Sequence, residues 1–210
     1  PSGCGKTTLL NIISGLITPA GGHVIFDGDD VTHKPVEDRR IAQVFQFPVV
    51  YDSMDVYGNL AFPLKNDGAA EDAIRDRVKE IAKILEIDHL LSTRIGRLTG
   101  ADKQRVALGR GLVRPNPAAV LLDEPLTVID PKQQWGLRRK LRQVQQQLGI
   151  TMIYVTHDQH EALTFADQVT IMSNGDVVQM ATPEELHNEP ASPFVGYFIG
   201  SPGMNVFDCT

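Results

Sequence analysis

The first eight residues form a glycine-rich loop, and an apolar helical pattern follows directly. Residues 1–8 read PSGCGKTT, which satisfies the phosphate-loop pattern G-x-x-x-x-G-K-[ST] from its second position onwards. Glycines let the backbone bend around phosphate oxygens, a lysine adds positive charge, and a threonine hydroxyl can ligate Mg²⁺. The residues predicted to contact the phosphates are Ser2, Gly3, Cys4, Gly5, Lys6, Thr7 and Thr8. The loop predicts a nucleoside triphosphate ligand, and its absent first glycine predicts that the natural chain begins further upstream.

Composition narrows the classes of protein that this chain can represent. The 210 residues carry a formal net charge of −6, which argues against a protein that binds nucleic acid by neutralising its phosphates. The two cysteines, Cys4 and Cys209, have a spacing that suits no metal site, so a reducing compartment is expected. No apolar run approaches the length of a membrane span. Association with a membrane is therefore expected to depend on partner proteins.

Short apolar runs bounded by turn residues alternate with helical patterns, which is typical of an α/β layer fold. The predicted strands are residues 23–27, 41–45, 119–123, 152–156, 169–172 and 177–180, the last two joined by an Asn-Gly turn. The predicted helices are residues 8–13, 69–87, 131–148, 158–165 and 183–187. Strand character is absent between residues 46 and 114, which predicts a mostly helical subdomain inserted into a nucleotide-binding core.

Two carboxylates follow the most apolar of the predicted strands. Residues 118–122 read AAVLL, and Asp123 and Glu124 come next. Because parallel strands gather their carboxyl ends at one edge of a sheet, Asp123 is expected to hold Mg²⁺ through water beside Thr7. Glu124 can polarise a water molecule for attack on the terminal phosphate. His157 follows the next predicted strand of the core and is expected beside the same phosphate.

Six motifs occur in a fixed order along the chain. They are the phosphate loop, VFQ at 44–46, LTGAD at 98–102, LLDEP at 121–125, LTVID at 126–130 and YVTHD at 154–158. With these motifs the chain resembles the ATP-binding subunit of ABC transporters, in particular the carbohydrate-import type. The resemblance implies ATP and Mg²⁺ as cofactors and catalytic roles for Glu124, His157 and Gln46, the last also a Mg²⁺ ligand. It also implies that Asp130 communicates across a dimer of ATPase subunits.

The resemblance implies a domain organisation and a set of partners. The P-loop NTPase core would comprise residues 1–46 and 115–200, the helical subdomain residues 47–114, and the start of a β-rich regulatory domain residues 201–210. The partners would be a second ATPase subunit, two membrane permease subunits and an extracytoplasmic solute-binding protein. The permease groove would be lined by Phe47, Val49, Val50, Tyr51 and Met54. The chain would lie at the cytoplasmic face of the inner (plasma) membrane and power import of a sugar, glycerol, a related polyol or a glycerol phosphate.

The signature segment departs from the pattern of the family. Where the family has S-G-G-Q, which contacts ATP held by the other subunit, this chain has Thr99, Gly100, Ala101 and Asp102. A carboxylate about 7 Å from a phosphate, at an effective dielectric constant of about 20, costs about 2 kcal/mol unless Lys103 or Arg105 neutralises it. Two interpretations remain open. Either Asp102 merely caps the helix as glutamine does, or the chain pairs with a different ATPase subunit and its signature completes the weaker site.

Other classes of ATPase are less compatible with the sequence. An ABC-type ATPase of DNA repair would carry a long coiled coil between Lys6 and Leu98, and that interval is too short. A soluble ABC-type ATPase uncoupled from transport remains an alternative, as does a degenerate regulatory subunit, although intact Glu124 and His157 disfavour the latter. A GTPase is disfavoured because no N-K-x-D motif occurs. The transported solute is not encoded in this chain, because other subunits contact it in this family.

Overall fold

The computed structural model describes residues 3–205 and residue 207. Ser2, which is predicted to contact the phosphates, and Cys209 lie outside the described residues, as do residues 206, 208 and 210 of the predicted regulatory segment. Internal contacts divide the chain into two compact units. One comprises residues 11–153, and the other comprises the described residues up to Leu10 together with those from Tyr154 onwards. The predicted division into core and helical subdomain stays a prediction.

A three-stranded sheet forms the centre of the larger unit, and it explains the apolar runs of the sequence. Strands β3 (Ile41–Val44), β4 (Ala119–Asp123) and β5 (Met152–Val155) lie side by side in that order. β3 and β4 are parallel, with Ile41 opposite Ala119. All five residues of β4 are buried, as expected for the central strand of a parallel sheet that is covered on both faces. The boundary between the two units falls within β5, after Ile153.

Helices account for most of the remainder of the larger unit. They are α2 (Val56–Asn66), α3 (Glu71–Ile84), α4 (Gly100–Leu112) and α5 (Pro131–Leu148), and α1 (Lys6–Ser14) crosses the unit boundary after Leu10. Three further short 3₁₀ turns occupy Val36–Arg39, Asp88–Leu90 and Ile95–Arg97. α4 packs against α2, α3 and β3. A Cβ atom on Gly109 of α4 would overlap the Leu60 side chain and come within 3.2 Å of Leu85 Cδ1, so glycine permits this close packing.

A buried arginine anchors the C-terminal end of the helix that follows the phosphate loop. Arg39 donates to the carbonyl oxygens of Ile12 and Ile13 at 2.8 and 2.9 Å, and to that of Thr32 at 2.7 Å. The last carbonyls of a helix have no partner within it and carry its negative dipole end, so a guanidinium satisfies both their hydrogen bonding and their charge. The position of α1 is therefore fixed at the end away from the loop.

The smaller unit contains a β-hairpin covered by short helices. β6 (Val169–Ser173) and β7 (Asp176–Ala181) are antiparallel and joined at Asn174-Gly175. The helices are α6 (Gln159–Phe165), α7 (Pro183–Asn188) and α8 (Pro193–Ile199). The apolar core of this unit consists of Val169, Ile171, Leu186, Val195 and Ile199. Period-two alternation in β6 turns its apolar side chains towards this core.

A second hairpin, β1 (Ile25–Phe26) with β2 (Asp29–Asp30), precedes the sheet in the larger unit. Asp27 and Gly28 connect the strands with φ of +50° and +88°, as a two-residue turn of type I′ requires. β2 is absent from the sequence-based prediction because two aspartates do not match any strand pattern. The predicted strand 23–27 is correspondingly shorter in the structure.

The other predicted elements agree with the structure to within a few residues. The six predicted strands all overlap observed ones, and the predicted helix 131–148 matches α5 at both ends. The predicted helix 69–87 is shorter and covers Glu71–Ile84. Helices α2 and α8 are not among the predicted ones, and α4 was expected only as a helix that starts at the signature segment, without bounds. Within the described residues, none of the helices combines the length and the apolar character that crossing a membrane requires.

Candidate nucleotide-binding site

The phosphate loop has the backbone conformation that its glycines predict. Gly3 and Gly5 adopt φ of +75° and +94°, a region that favours glycine, and α1 begins at Lys6 immediately afterwards. Cys4 is buried between them, and the Lys6 ammonium lies 3.6 Å from its Sγ atom. Thr7 and Thr8 are exposed in the first turn of α1. A loop of this shape at a helix N-terminus presents backbone N–H groups to an anion.

The ends of β3 and β4 bring together two of the predicted catalytic residues. Parallel pairing places Val44 opposite Leu122, so Gln46 and Glu124 leave the same edge of the sheet. Gln46 Nε2 lies 3.4 Å from Glu124 Oε2, within hydrogen-bonding distance. Asp123, the last residue of β4, is only 7% exposed. This edge of the sheet therefore carries the carboxylates of Asp123 and Glu124 and the amide of Gln46. Such groups can serve as oxygen ligands for a metal and as proton acceptors in phosphate chemistry.

The backbone at Glu124 is unusual. Its φ is +44°, a left-handed conformation that residues other than glycine seldom adopt. Thr127 secures the turn that follows, because its hydroxyl donates to the Glu124 carbonyl at 3.1 Å and also lies 3.4 Å from Glu124 Oε2. The carboxylate is therefore contacted from the β3 side by Gln46 and from the following turn by Thr127.

A buried glutamine on α4 supports the same edge, and the sequence analysis missed it. Gln104 is fully buried, and its Nε2 donates to the carbonyl oxygens of Phe45 at 3.3 Å and Pro125 at 2.9 Å. It shares a helix face with buried Leu108 and Gly111, four and seven residues further on. A polar residue in an apolar row of an amphipathic helix is the sequence signal that could have identified it.

The signature segment caps α4 with its own side chains. The Asp102 backbone N–H donates to Thr99 Oγ1 at 3.1 Å, and the Thr99 hydroxyl donates to Asp102 Oδ2 at 2.7 Å. Arg105 pairs with Asp102 Oδ1 at 3.4 Å and also donates to Gln133 of α5 at 2.6 Å. Of the two cations considered from sequence, Arg105 is thus the one that balances the Asp102 charge. Gly100 is exposed, and Ala101 is half-buried.

Asp130 lies at the start of α5, where it caps the helix. Its Oδ1 accepts the Lys132 backbone N–H at 2.8 Å, and Gln134 stabilises the preceding loop by donating to the carbonyls of Leu126 and Ile129 at 3.0 Å each. Asp130 is exposed. The loop between Glu124 and α5 is thereby held in a defined shape at the surface of the larger unit.

His157 is exposed in the turn between β5 and α6. Thr156 donates to Glu161 at 2.8 Å and accepts the Asp158 N–H at 3.0 Å, while Asp158 caps α6 by accepting the His160 N–H at 2.8 Å. These bonds fix the backbone on both sides of the histidine. His157 and the phosphate loop belong to one unit, whereas Gln46, Asp123 and Glu124 belong to the other. Their convergence around one triphosphate stays a prediction.

The metal ligands predicted from sequence are a hydroxyl, an amide and a carboxylate, from Thr7, Gln46 and Asp123. Mg²⁺ typically keeps several waters and uses one or two protein carboxylates together with phosphates of the substrate. The described part of the chain contains no group of three or more histidine, cysteine, aspartate and glutamate side chains that could hold a metal ion. Independently of this absence, one buried carboxylate with an amide beside it is a donor set of the kind that a hydrated, phosphate-bound Mg²⁺ uses.

Comparison with known proteins decides the family. A family model described as ABC transporter matches residues 1–127. The chain belongs to the ABC transporter family. Membership confirms the resemblance seen in the six ordered motifs, and with it the prediction of an α/β P-loop core that binds ATP.

Several curated relatives of this ABC family member are ATP-binding proteins of import systems. The sn-glycerol-3-phosphate import ATP-binding protein of Rhizobium etli is 49% identical over 206 residues, which are 98% of this chain and 59% of that protein. The trehalose/maltose import ATP-binding protein of Thermococcus litoralis is 44% identical over 214 residues, covering 99% of this chain and 57% of that protein. The chain thus spans a little over half the length of the curated relatives it matches.

A solved structure supports the fold of this ABC family member. cbiO1 from Clostridium perfringens, part of the ABC transporter complex cbiONQ, superimposes with a TM-score of 0.80 at 31% sequence identity. The match covers 91% of this chain and 78% of that chain. The parallel pairing of β3 with β4 and the helices around them therefore belong to an ABC ATPase fold.

Proposed function

We propose that this chain is the ATP-binding and ATP-hydrolysing part of an ABC importer for a sugar, glycerol, a related polyol or a glycerol phosphate. The observation that carries the proposal is the contact between Gln46 and Glu124 beside buried Asp123, in a chain that also has the Gly-Lys-Thr end of a phosphate loop. The direction of transport and the class of solute are supported by the relatives, which are named import ATP-binding proteins for glycerol phosphate and for trehalose or maltose.

Each of these side chains would have a role in the reaction, and Gln46 would have two. Lys6 and the backbone N–H groups of Gly3 and Gly5 would hold the phosphates, and Glu124 would accept a proton from the attacking water. Gln46, 3.4 Å from the Glu124 carboxylate, would orient that water. Thr7, Asp123 and Gln46 would hold Mg²⁺, which when bound neutralises charge on the phosphates. His157 would contact the terminal phosphate from the turn before α6.

The partners of the proposal are a second ATPase subunit, two permease subunits and an extracytoplasmic solute-binding protein, with this chain at the cytoplasmic face of the membrane. An apolar surface near the end of β3 supports a permease contact: Phe47 is 71% exposed and Val49 is 53% exposed. The Arg110 guanidinium lies 4.3 Å from the centroid of the Tyr51 ring, beside a cavity of about 200 Å³. Exposed apolar residues grouped around a concavity are typical of protein contacts.

A specific observation favours pairing with a different ATPase subunit. The Thr99 hydroxyl donates its proton to Asp102 at 2.7 Å, so this proton is engaged within the chain instead of being directed at a phosphate. Arg105 reduces the repulsion that the Asp102 charge would exert, although the carboxylate remains at the helix N-terminus. The nucleotide site that receives this signature would therefore be the weaker of two, whereas the site built on the phosphate loop would remain competent.

The direct test is hydrolysis of Mg·ATP by the full-length protein in its assembled complex. Glu124→Gln should lower kcat at least about 100-fold, because it removes the proton acceptor, while binding of a fluorescent ATP analogue persists. Glu80→Gln is the matched control, since Glu80 is an exposed residue of α3 paired with Arg77, and its kcat should be unchanged. Full ATPase activity of Glu124→Gln, or a wild-type complex that does not hydrolyse Mg·ATP, would contradict the proposal.

A second experiment separates an importer from a soluble ABC-type ATPase. The full-length protein should co-purify with two membrane permease subunits, and substitution of Phe47 and Val49 by serine should weaken that association while ATP binding is kept. An ATPase that is fully active alone and associates with no membrane protein would favour the soluble alternative.

A further inference from the structure

Gln104 of α4 is a buried amide at the junction of three elements of the larger unit. It has no exposed surface, and its Nε2 donates to Phe45 O at 3.3 Å and to Pro125 O at 2.9 Å. Its Oε1 is buried and has no hydrogen-bond donor within the described residues. The two acceptors determine the orientation of the amide, because reversing it would bring an oxygen against two carbonyl oxygens.

The two carbonyl groups belong to residues adjacent to the reacting side chains. Phe45 immediately precedes Gln46, and Pro125 immediately follows Glu124. Gln46 and Glu124 themselves meet at 3.4 Å. A single amide group therefore fixes the backbone beside both members of this contact, one from the end of β3 and the other from the loop after β4.

The same helix begins at the signature segment. Thr99 caps α4, and Gln104 lies five residues further along the chain, on a buried face of that helix. A rigid helix transmits a small displacement of its first turn to the side chains of its next turn, because packed elements move as units. A shift of α4 thus changes the positions of Phe45 O and Pro125 O together.

We propose that Gln104 is a positioning residue, which couples α4 to the contact between Gln46 and Glu124 and so sets the geometry of hydrolysis. This inference rests on the proposed ATPase function. The Gln104 amide is buried and its oxygen has no hydrogen-bond donor among the residues that the structure describes, which reduces its contribution to stability. An apolar side chain would fill the same space without this cost, so packing alone does not explain a glutamine here. Its two bonds to the edges of the active site account for its presence.

The test uses Gln104→Met in the full-length protein within the assembled transporter. Methionine has a similar volume but removes both hydrogen bonds, so the ends of β3 and β4 are no longer tied to α4. We expect kcat to fall about 10- to 100-fold, since small errors in placement near reacting groups have effects of this size. Binding of a fluorescent ATP analogue should change by no more than about threefold, because Gln104 is placed to act on Gln46 and Glu124 and not on the phosphate loop.

Gln104→Glu supplies a second variant of the same shape. Its carboxylate would face the Phe45 and Pro125 carbonyl oxygens, so it should lower kcat further than methionine does. Gln145→Met is the matched control, because Gln145 Nε2 donates to one backbone carbonyl, that of Ile150, at 3.1 Å. The control removes one hydrogen bond from a half-buried glutamine, so it should lower Tm by no more than Gln104→Met does, without changing kcat.

The outcomes separate this inference from the proposed function. A wild-type complex without ATPase activity removes the proposed function. An active wild type with unchanged kcat in folded Gln104→Met overturns the positioning role alone, and so does an equal loss of kcat in Gln145→Met. Loss of kcat in both Gln104 variants, with ATP binding kept and the control active, supports it.

Discussion

The first turn of α4 and the later turns of the same helix are constrained differently. Thr99 and Gly100 are exposed, and the charge of Asp102 is balanced locally by Arg105. Gln104 and Gly109, in the later turns, are buried. Gln104 donates to two backbone carbonyls, and a Cβ atom on Gly109 would overlap the Leu60 side chain. The exposed first turn therefore accommodates a departure from the family pattern through a nearby side chain. The later turns have less freedom, because they pack against α2 and β3 and donate a hydrogen bond to the loop after β4.

The largest effect is expected from adding volume to the buried later turns of α4. Gly109→Val should lower the free energy of unfolding by about 3 kcal/mol, because its side chain would overlap Leu60 and press on Leu85. Gly100→Val on the same helix is the control, since nothing lies within 4 Å of a Cβ there. Denaturant unfolding of both variants measures the difference. Equal midpoints would show that the surroundings of Gly100 and Gly109 are packed alike.

An intermediate effect is expected from restoring the family pattern in the exposed turn. Ala101→Gly together with Asp102→Gln should raise the ATPase rate of the assembled transporter about fivefold, since roughly 1 kcal/mol of repulsion is removed. Asp72→Gln is a matched control, because Asp72 pairs with Arg75 at the same i,i+3 spacing at 2.9 Å. An unchanged rate in the double variant would favour the interpretation in which Asp102 simply replaces glutamine as a cap.

The smallest effect on stability is expected at Asp30 in β2. Like Asp102, this carboxylate is contacted by a hydroxyl group and a basic side chain. The Thr32 hydroxyl and backbone N–H, with a further contribution from His23, lower the pKa of Asp30 to about 2. A carboxyl pKa that is lower in the folded state stabilises the fold above its unfolded pKa of about 3.9, and this stabilisation is lost as pH falls towards 2. NMR titration of the Asp30 carboxyl carbon should show this value, and Thr32→Val should raise it. An ordinary pKa for Asp30 in the wild-type protein would contradict the hydrogen bonds from Thr32 to its carboxylate.

The sequence predicted those parts of the fold that local chemistry determines. α5 is bounded by Pro131 at its first turn and by Gly149 with φ of +61° just beyond its end, so both limits are visible in the sequence. α2 was missed because Gly58 and Pro63 lie within it, and its formation depends on burial of Val56, Leu60 and neighbouring residues.

The candidate site was predictable to a similar extent. The phosphate loop, Asp123, Glu124 and Gln46 follow from motifs, and the shared edge of β3 and β4 follows from parallel pairing. The apolar row of α4 could have singled out Gln104 as a buried polar residue, but its partners could not be predicted, because they are two carbonyls that lie 59 and 21 residues away in sequence. The Asp102–Arg105 pair was foreseen as one of two options, and only the side-chain positions distinguish Arg105 from Lys103.

The left-handed backbone at Glu124 has a consequence for how this chain can be stabilised. A residue with a Cβ atom in that conformation costs about 1 kcal/mol or more relative to glycine. Glu124→Gly or Glu124→Asn would therefore yield a protein that withstands heat and denaturant better while it loses its proton acceptor. A screen for thermal stability alone would therefore select inactive variants at this position, so it should be combined with an assay of ATP turnover.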